Sequence, residues 1–265
     1  MEIQIDSALC VGCGRCVKDC LPQALRLKDR KAHFLPDHNC MECGHCIAIC
    51  PRGAVSVPDP EMREVVPIAD LPHTLSADAF SGHMRARRSV RAFDPSPLPE
   101  EQVQILLDTG RFSPTGGNRQ NVRYNVLRSR LPVFREMVLG ELEKMWAEGA
   151  DASWYPALWH DMYLSYQKDG KDRLFFDAGT VIAVSSDVPQ AASIASAHME
   201  TMANALGLGV LYSGFTVRAV AHSEELQQFL KLKENYSVWT VLVIGKPRVS
   251  YLRTVPRRKA DVIWD

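Results

Sequence analysis

The 265-residue sequence predicts a mixed α+β chain in two parts, and three observations carry that reading. All eight cysteines lie between Cys10 and Cys50. Four prolines (Pro58, Pro60, Pro67 and Pro72) then interrupt the chain, and beyond residue 76 helical and strand periodicities alternate. The expected boundaries are a small cysteine-bearing domain at 1–57, an extended, semi-rigid connector at 58–75 and a thiol-free α+β domain at 76–265. Charge excludes some functions. The 31 basic and 31 acidic residues cancel, so no global field attracts nucleic acid or an anionic membrane. Charge or proline breaks every apolar stretch well before a membrane-spanning length. The opening Met-Glu-Ile-Gln has neither the charged nor the apolar region of a secretory leader, so a cytoplasmic setting is expected.

The first domain contains the runs Cys10-Val-Gly-Cys13-Gly-Arg-Cys16-Val-Lys-Asp-Cys20 and Cys40-Met-Glu-Cys43-Gly-His-Cys46-Ile-Ala-Ile-Cys50-Pro51. Both have gaps of two, two and three residues, and the offset from Cys10 to Cys40 is an internal repeat of thirty, which points to a pseudo-twofold unit. Short strands flank the runs at Ile3–Ile5, Ala24–Leu27, Ala32–Leu35 and Ala54–Val57. Structural zinc takes cysteines in pairs, four to a metal, and leaves the third cysteine of each triplet unexplained. A disulfide framework needs an oxidising compartment. The spacing resembles the bacterial iron–sulfur ferredoxin run, in which the fourth cysteine serves the other cluster. The resemblance implies two [4Fe–4S] clusters, one on Cys10, Cys13, Cys16 and Cys50, the other on Cys40, Cys43, Cys46 and Cys20. One departure is Leu21, which separates Cys20 from Pro22. A unit this small rarely builds an adequate core, so the clusters are also its expected staple.

In the larger domain, Ser76 can cap a helix from Ala77 to Arg87. Pro99 to Gly110 places acids at its start and apolar residues at helical spacing. Ser113 to Asn121 is a loop by its Pro, Gly and Asn content. Val122, Tyr124 and Val126 alternate as in a strand. Pro132 to Glu148 reads helical, whereas the stretch from Trp146 to Gln167 has no assigned element. Its Trp154, Tyr155, Trp159, Tyr163 and Tyr166 suit core packing first, and a pocket wall second. Thr180–Val184, Gly209–Tyr212 and Val238–Ile244 read as strands, and Gln190–Leu206 and Ser223–Leu232 as helices.

Five ordered motifs span residues 76 to 265: Arg87-Arg88-Ser89-Val90-Arg91, Ser113-Pro-Thr115-Gly116 with Asn118 and Gln120, Leu206-Gly-Leu-Gly209, Gly245-Lys-Pro247, and Arg257-Arg258. Their types and order resemble the nitroreductase family of flavoproteins. With the cysteine runs, the chain is similar to the ferredoxin-fused branch of that family. The resemblance implies FMN. It places Arg87, Arg88 and Ser89, with Arg257 or Arg258, at the phosphate, where guanidinium forks suit a dianion. It places Arg91 at the N1/O2 edge of the flavin, Thr115, Gly116, Asn118 and Gln120 along it, and the backbone of Ser213 and Gly214 toward N5. Thr115 stands where the family has Ser, Gly117 lengthens the loop and Asn121 replaces Pro. The resemblance also implies a homodimer with FMN between subunits, for which Gln190–Leu206 is the candidate interface helix.

The expected activity passes electrons from the clusters to FMN, a converter between one- and two-electron chemistry. The acceptor is small: a nitro compound, a quinone or a flavin. No catalytic acid is identifiable, because the cofactor carries the chemistry. Reduced ferredoxin is the expected donor, since the clusters would be redundant if hydride reached FMN directly; Gly207-Leu-Gly209, which runs from helix into strand, is also no dinucleotide fingerprint. The alternatives are an electron carrier or redox sensor that docks a partner protein, an NAD(P)H-driven flavin or nitro reductase, and a relative of reductive dehalogenases.

Overall fold

The computed structural model describes residues 3–57, 60–72, 75–150 and 153–265, and of Pro60 and Glu61 the backbone alone. The chain divides into two compact units: Met1–Leu75 with Gly116–Arg119, and Ser76–Thr115 with Gln120–Asp265.

The first unit contains β1 (Gln4–Ile5), α1 (Arg15–Asp19), β2 (Leu25–Lys28), β3 (Lys31–Phe34), α2 (His45–Ala48) and β4 (Val55–Ser56). The repeat read from sequence is visible in its pairing. β1 from the first half lies antiparallel to β4 from the second, with Gln4 opposite Ser56. β2 and β3 form a hairpin, closed by Asp29 and Arg30 at φ 50° and 60°. Positive φ at both central residues matches the twist of a two-residue hairpin turn. α1 and α2 each follow a glycine in the left-handed region, Gly14 at φ 73° and Gly44 at φ 72°. Two small apolar groups form the interior, one around Ile3, Val55 and Val57 and one around Cys16, Leu25 and Ala32.

The connector departs from the extended form expected. Pro60–Glu64 and Ile68–Asp70 each form a short 3₁₀ helix, while Pro58 lies outside the described residues. Proline fixes φ near the helical value as well as the extended one, so it can also open a tight turn.

The second unit is built on an antiparallel sheet of β5 (Val122–Leu127), β6 (Thr180–Ser186), β7 (Gly209–Tyr212) and β8 (Ser237–Gly245), in the order β5-β6-β8-β7. β6 is buried along its whole length, which explains its uninterrupted Thr-Val-Ile-Ala-Val run. Its side chains alternate between two cores. Val181 and Ala183, with Val241 and Val243, pack among residues of α5 (Leu131–Ala147), α6 (Tyr155–Asp169), α8 (Gly214–His222) and α9 (Glu224–Phe229). Ile182 and Val184, with Leu242 and Ile244, pack against α4 (Glu100–Arg111) and α7 (Pro189–Ala205). The period of two thus feeds a helical layer on each face. α3 (Ala77–Ala86) starts at Ser76, whose Oγ accepts from the Ala79 N–H at 3.1 Å. The small residues of α7, including Ala192, Ala195, Ser196 and Ala203, face inward.

Two helices have no counterpart among the elements expected from sequence. α6 occupies most of the aromatic stretch, with Trp159 fully buried and edge-on to Phe215 at 5.9 Å. α8 starts directly at the end of β7, and Ser223 then caps α9 by accepting from the Leu226 N–H. Among the described residues, no helix is long and apolar enough to cross a membrane.

Candidate functional site

The first unit brings the eight thiols together in two sets, and no disulfide links them. Cys10, Cys13, Cys16 and Cys50 line one cavity. Cys20, Cys40, Cys43 and Cys46 line the other. The fourth cysteine of each run therefore sits with the triplet of the other run. The β1–β4 pairing and the abutting α1 and α2 interleave the two halves and bring this about. Among the described residues, no three His, Cys, Asp or Glu side chains converge on a point that would hold one metal ion. Each set surrounds a space.

Backbone donors reach several of the sulfurs. The Ala54 N–H approaches Cys50 Sγ at 3.2 Å, Ala24 approaches Cys20 at 3.3 Å, Glu42 approaches Cys40 at 3.4 Å and Ala32 approaches Cys10 at 3.5 Å. Such bonds favour the thiolate. The Ala32 N–H holds the Cys10 thiol below its usual range. Burial acts oppositely on Cys46, pushing it up to about 11.

In the second unit, Ser89 forms a parallel bridge with Val210, and the Val90 N–H donates to the Val210 carbonyl at 3.1 Å. Glycine is required opposite: a Cβ on Gly209 would meet Val90 Cγ2 at 2.6 Å. The Arg87–Arg91 segment is thus laid beside β7, whose end leads into Ser213 and Gly214. Arg87 Nη1 contacts Glu200 Oε1 at 2.9 Å, and Glu200 on α7 is only 8% exposed. Arg88 Nη2 donates to the Arg85 carbonyl at 2.7 Å, while its Nε is buried with no partner. The Ser89 carbonyl accepts from Tyr251 Oη at 3.2 Å, and Arg91 is exposed. Burial first, then the Glu200 carboxylate, pushes the Tyr212 phenol above its ordinary range.

Several expected residues have other partners. The Ser213 N–H donates to the Val241 carbonyl at 2.8 Å, and its Oγ bonds Thr216 Oγ1 at 2.7 Å. That N–H is spent on the sheet, so of the expected N5 donors Gly214 is left. It opens α8, where the first N–H groups of a helix have no intrahelical acceptor. Thr115 Oγ1 accepts from the Gln120 N–H at 2.9 Å, which closes the loop on itself, and Gly116 is exposed. Asn118 belongs to the first unit, where its Nδ2 donates to the carbonyls of Met41 at 3.3 Å and Glu42 at 2.9 Å. Arg257 and Arg258 are exposed and lie outside any helix or strand. Sequence reasoning missed Glu200. It is the one acid in the Ala- and Ser-rich α7, and an isolated charge there is the signal that a partner exists.

Residues 84–246 match the family model of the nitroreductases. The chain belongs to the nitroreductase family. Residues 9–54 match the 4Fe-4S dicluster domain, so an iron–sulfur unit precedes the nitroreductase domain. The chain is 36% identical over 63 residues to an uncharacterized ferredoxin of Methanocaldococcus jannaschii, covering 23% of this chain and all of the relative. A ferredoxin of Pyrobaculum islandicum is 30% identical over 101 residues, covering 38% of this chain and 77% of the relative. One component of an ion-translocating oxidoreductase complex from Methanosarcina acetivorans matches at 38% over 48 residues, 18% of each chain, so this chain spans under a fifth of it. Among solved structures, a nitroreductase with bound FMN from Bacteroides fragilis is 18% identical, covers 69% of this chain and 96% of its own, and gives a TM-score of 0.55. An FMN-dependent nitroreductase from Clostridium difficile is 20% identical, with 71% and 100% covered and a TM-score of 0.53. Iodotyrosine deiodinase bound to FMN and 3-iodo-L-tyrosine shares the nitroreductase fold at 15% identity, with 70% and 98% covered and a TM-score of 0.53.

Proposed function

We propose that this chain is an FMN- and iron–sulfur-dependent oxidoreductase that takes electrons one at a time through two [4Fe–4S] clusters and delivers them in pairs to a small acceptor. The observation that carries the proposal is the sorting of eight thiols into two cavities of four, on the same chain as a nitroreductase domain.

The residues present fit both groups. Each cavity offers four thiols to a cluster that needs four thiolates. In the nitroreductase domain, the orphaned buried Nε of Arg88 lacks an acceptor that a phosphate oxygen would supply. Ser89 lies beside it, and the exposed Arg91 supplies positive charge to the same segment. The Gly214 N–H points from a helix start, where the dipole also favours developing negative charge. Bound FMN would supply hydride-equivalent transfer. The protein's part is to bind the phosphate through Arg88 and Ser89, to favour a reduced anionic ring with Arg91, and to donate a hydrogen bond from Gly214. Arg87 is paired with Glu200, so its charge is balanced there and the phosphate falls to Arg88 and Ser89. Arg257 or Arg258 would add a guanidinium to the phosphate, and the flavin would be shared in a homodimer.

Reduced ferredoxin is the donor this arrangement suits. Ferredoxin-type centres sit at low potential, and clusters would be redundant if hydride reached the flavin directly. Nitro compounds, quinones and free flavins are the acceptor classes to try. Anaerobic purification should yield about eight irons, with matching sulfide, and one FMN per chain. Zinc in place of iron would end the cluster reading. Reduced ferredoxin or a low-potential dye should bleach the flavin quickly and NAD(P)H slowly. Bleaching by NAD(P)H at catalytic rates in a cluster-free cysteine variant would overturn the donor assignment. Absence of turnover with every acceptor class would favour an electron carrier.

A further inference from the structure

We propose that the two cluster cavities are electrostatically unequal, and that the cluster on Cys10, Cys13, Cys16 and Cys50 takes up its electron before the one on Cys20, Cys40, Cys43 and Cys46. The inference rests on the ligand sets proposed above. The first cavity is lined by Arg15 and Arg52 as well as its four cysteines. A third cation, Lys31, is tethered beside it: its Nζ donates to the Cys10 carbonyl at 2.5 Å and the Ser7 carbonyl at 2.8 Å. The next residue, Ala32, sends its N–H to Cys10 Sγ. In the lining of the second cavity, His45 is the one ionisable side chain besides the cysteines among the described residues, and Ile3, Pro22, Leu25, Phe34 and Met41 are apolar. Glu42 and His38 stand next to that lining, and neither is a fixed cation like Lys31.

The consequence follows from charge alone. Each cluster accepts one electron and no proton, so reduction adds one negative charge to the site. In a titration the electron comes from a reduced viologen, which is left as its oxidised dication. Fixed cations stabilise the added charge, whereas an apolar wall does not; backbone N–H donors reach two sulfurs in each set and so do not separate the two. Arg15 and Arg52 are exposed and therefore screened by water and salt. Lys31 is half-buried and doubly anchored, so it should contribute the larger share. Lys31 is thus a tuning residue that touches the backbone of a ligand loop.

The test is an anaerobic potentiometric titration of the full-length holoprotein, with viologen mediators and paramagnetic resonance detection of each reduced cluster. Two one-electron steps should separate so that the reduction equilibria differ by at least about tenfold, which is 59 mV for a one-electron couple. Lys31→Gln and Arg52→Gln should each lower the upper step and leave the lower one in place, and Lys31→Arg should restore it. Coincident steps in the unaltered protein, or variants that move the lower step or both equally, overturn the proposal. If Lys31→Gln loses iron because its loop is no longer braced, the exposed Arg52→Gln decides the matter. Iron is counted on the same samples. A chain without about eight irons defeats the ligand reading and this inference together, whereas full iron with coincident steps defeats this inference alone.

Discussion

Gly12→Ala should damage the first cluster loop far more than Gly44→Ala damages the second, although both glycines lie in a ligand loop at positive φ. Gly12 sits at φ 65°, and an added Cβ would lie 2.0 Å from the Arg30 carbonyl oxygen and 2.8 Å from its carbon. Those atoms are backbone, at the tip of the β2–β3 hairpin, and cannot swing away as a side chain would. Gly44 sits at φ 72°, but nothing lies within 4 Å of its added Cβ. The left-handed conformation costs an alanine about 1–2 kcal/mol in either place. Forcing an extra carbon into packed backbone adds about 1–3 kcal/mol at Gly12 only. Gly12→Ala should therefore cost about 2–5 kcal/mol and Gly44→Ala about 1–2 kcal/mol. Cluster binding and folding of so small a unit are linked, so the difference should appear as iron lost. The assay is iron content and thermal bleaching of the cluster absorbance under anaerobic conditions. Equal loss in the two variants would refute the reasoning, because strain at φ would then be the whole effect and the hairpin contact would contribute nothing.

Cys20→Ala should remove the cluster of Cys40, Cys43 and Cys46 and leave that of Cys10, Cys13 and Cys16, with about half the iron retained; spectra showing the reverse would break the crossover. Glu200→Gln should lower the melting temperature of the nitroreductase domain, since it strips a mostly buried carboxylate from Arg87 at a cost of about 1–3 kcal/mol. The same variant should bring the Tyr212 phenol down toward its ordinary range, read by ultraviolet titration; an unmoved phenol would show that burial alone raises it. Tyr124→Phe should leave stability unchanged or raise it by up to about 1 kcal/mol, because the Tyr124 hydroxyl is buried without a partner. Burial also pushes this phenol up to about 12 from 10. The unfolded chain ionises first, so the wild type should lose stability as pH rises from about 10 to 12, and the Phe variant should lack that loss in alkaline melts.

The parts of the fold visible in sequence are those set by local pattern. The unbroken apolar run of β6, the alternation in β5 and the Ser76 cap are all written in adjacent residues. α6 is not legible there for a physical reason. Apolar and aromatic residues occur around its whole circumference, no side chain caps its start, and Pro156 sits in its first turn. α8 is hidden because Ser213 ends a strand and opens a helix with no connecting loop. The site divides similarly. The cysteine sets are what the resemblance to the ferredoxin run implies, but the pairing of Arg87 with Glu200 spans 113 residues, and no local pattern encodes it. Nor does any local pattern reveal that the Ser213 N–H is taken by Val241, a strand neighbour that only the folded sheet supplies.

The thirty-residue repeat also shows where its two copies differ. Position twelve is glycine in the first copy, because the Arg30 carbonyl leaves no room for a side chain. Its counterpart Glu42 holds the same left-handed region, φ 53°, with a full side chain. Each loop has its carbonyls tied by a side chain from elsewhere in the first unit. In the first loop the tie is the Lys31 ammonium, on Ser7 and Cys10. In the second it is the Asn118 amide, on Met41 and Glu42. Both ties brace a loop, but only the first brings a charge. A symmetric pair of clusters would exchange an electron with no preference between them. On the proposal above, a cationic brace on one loop and a neutral one on the other would bias that exchange toward the first cluster, with the ligand cysteines and their spacing unchanged.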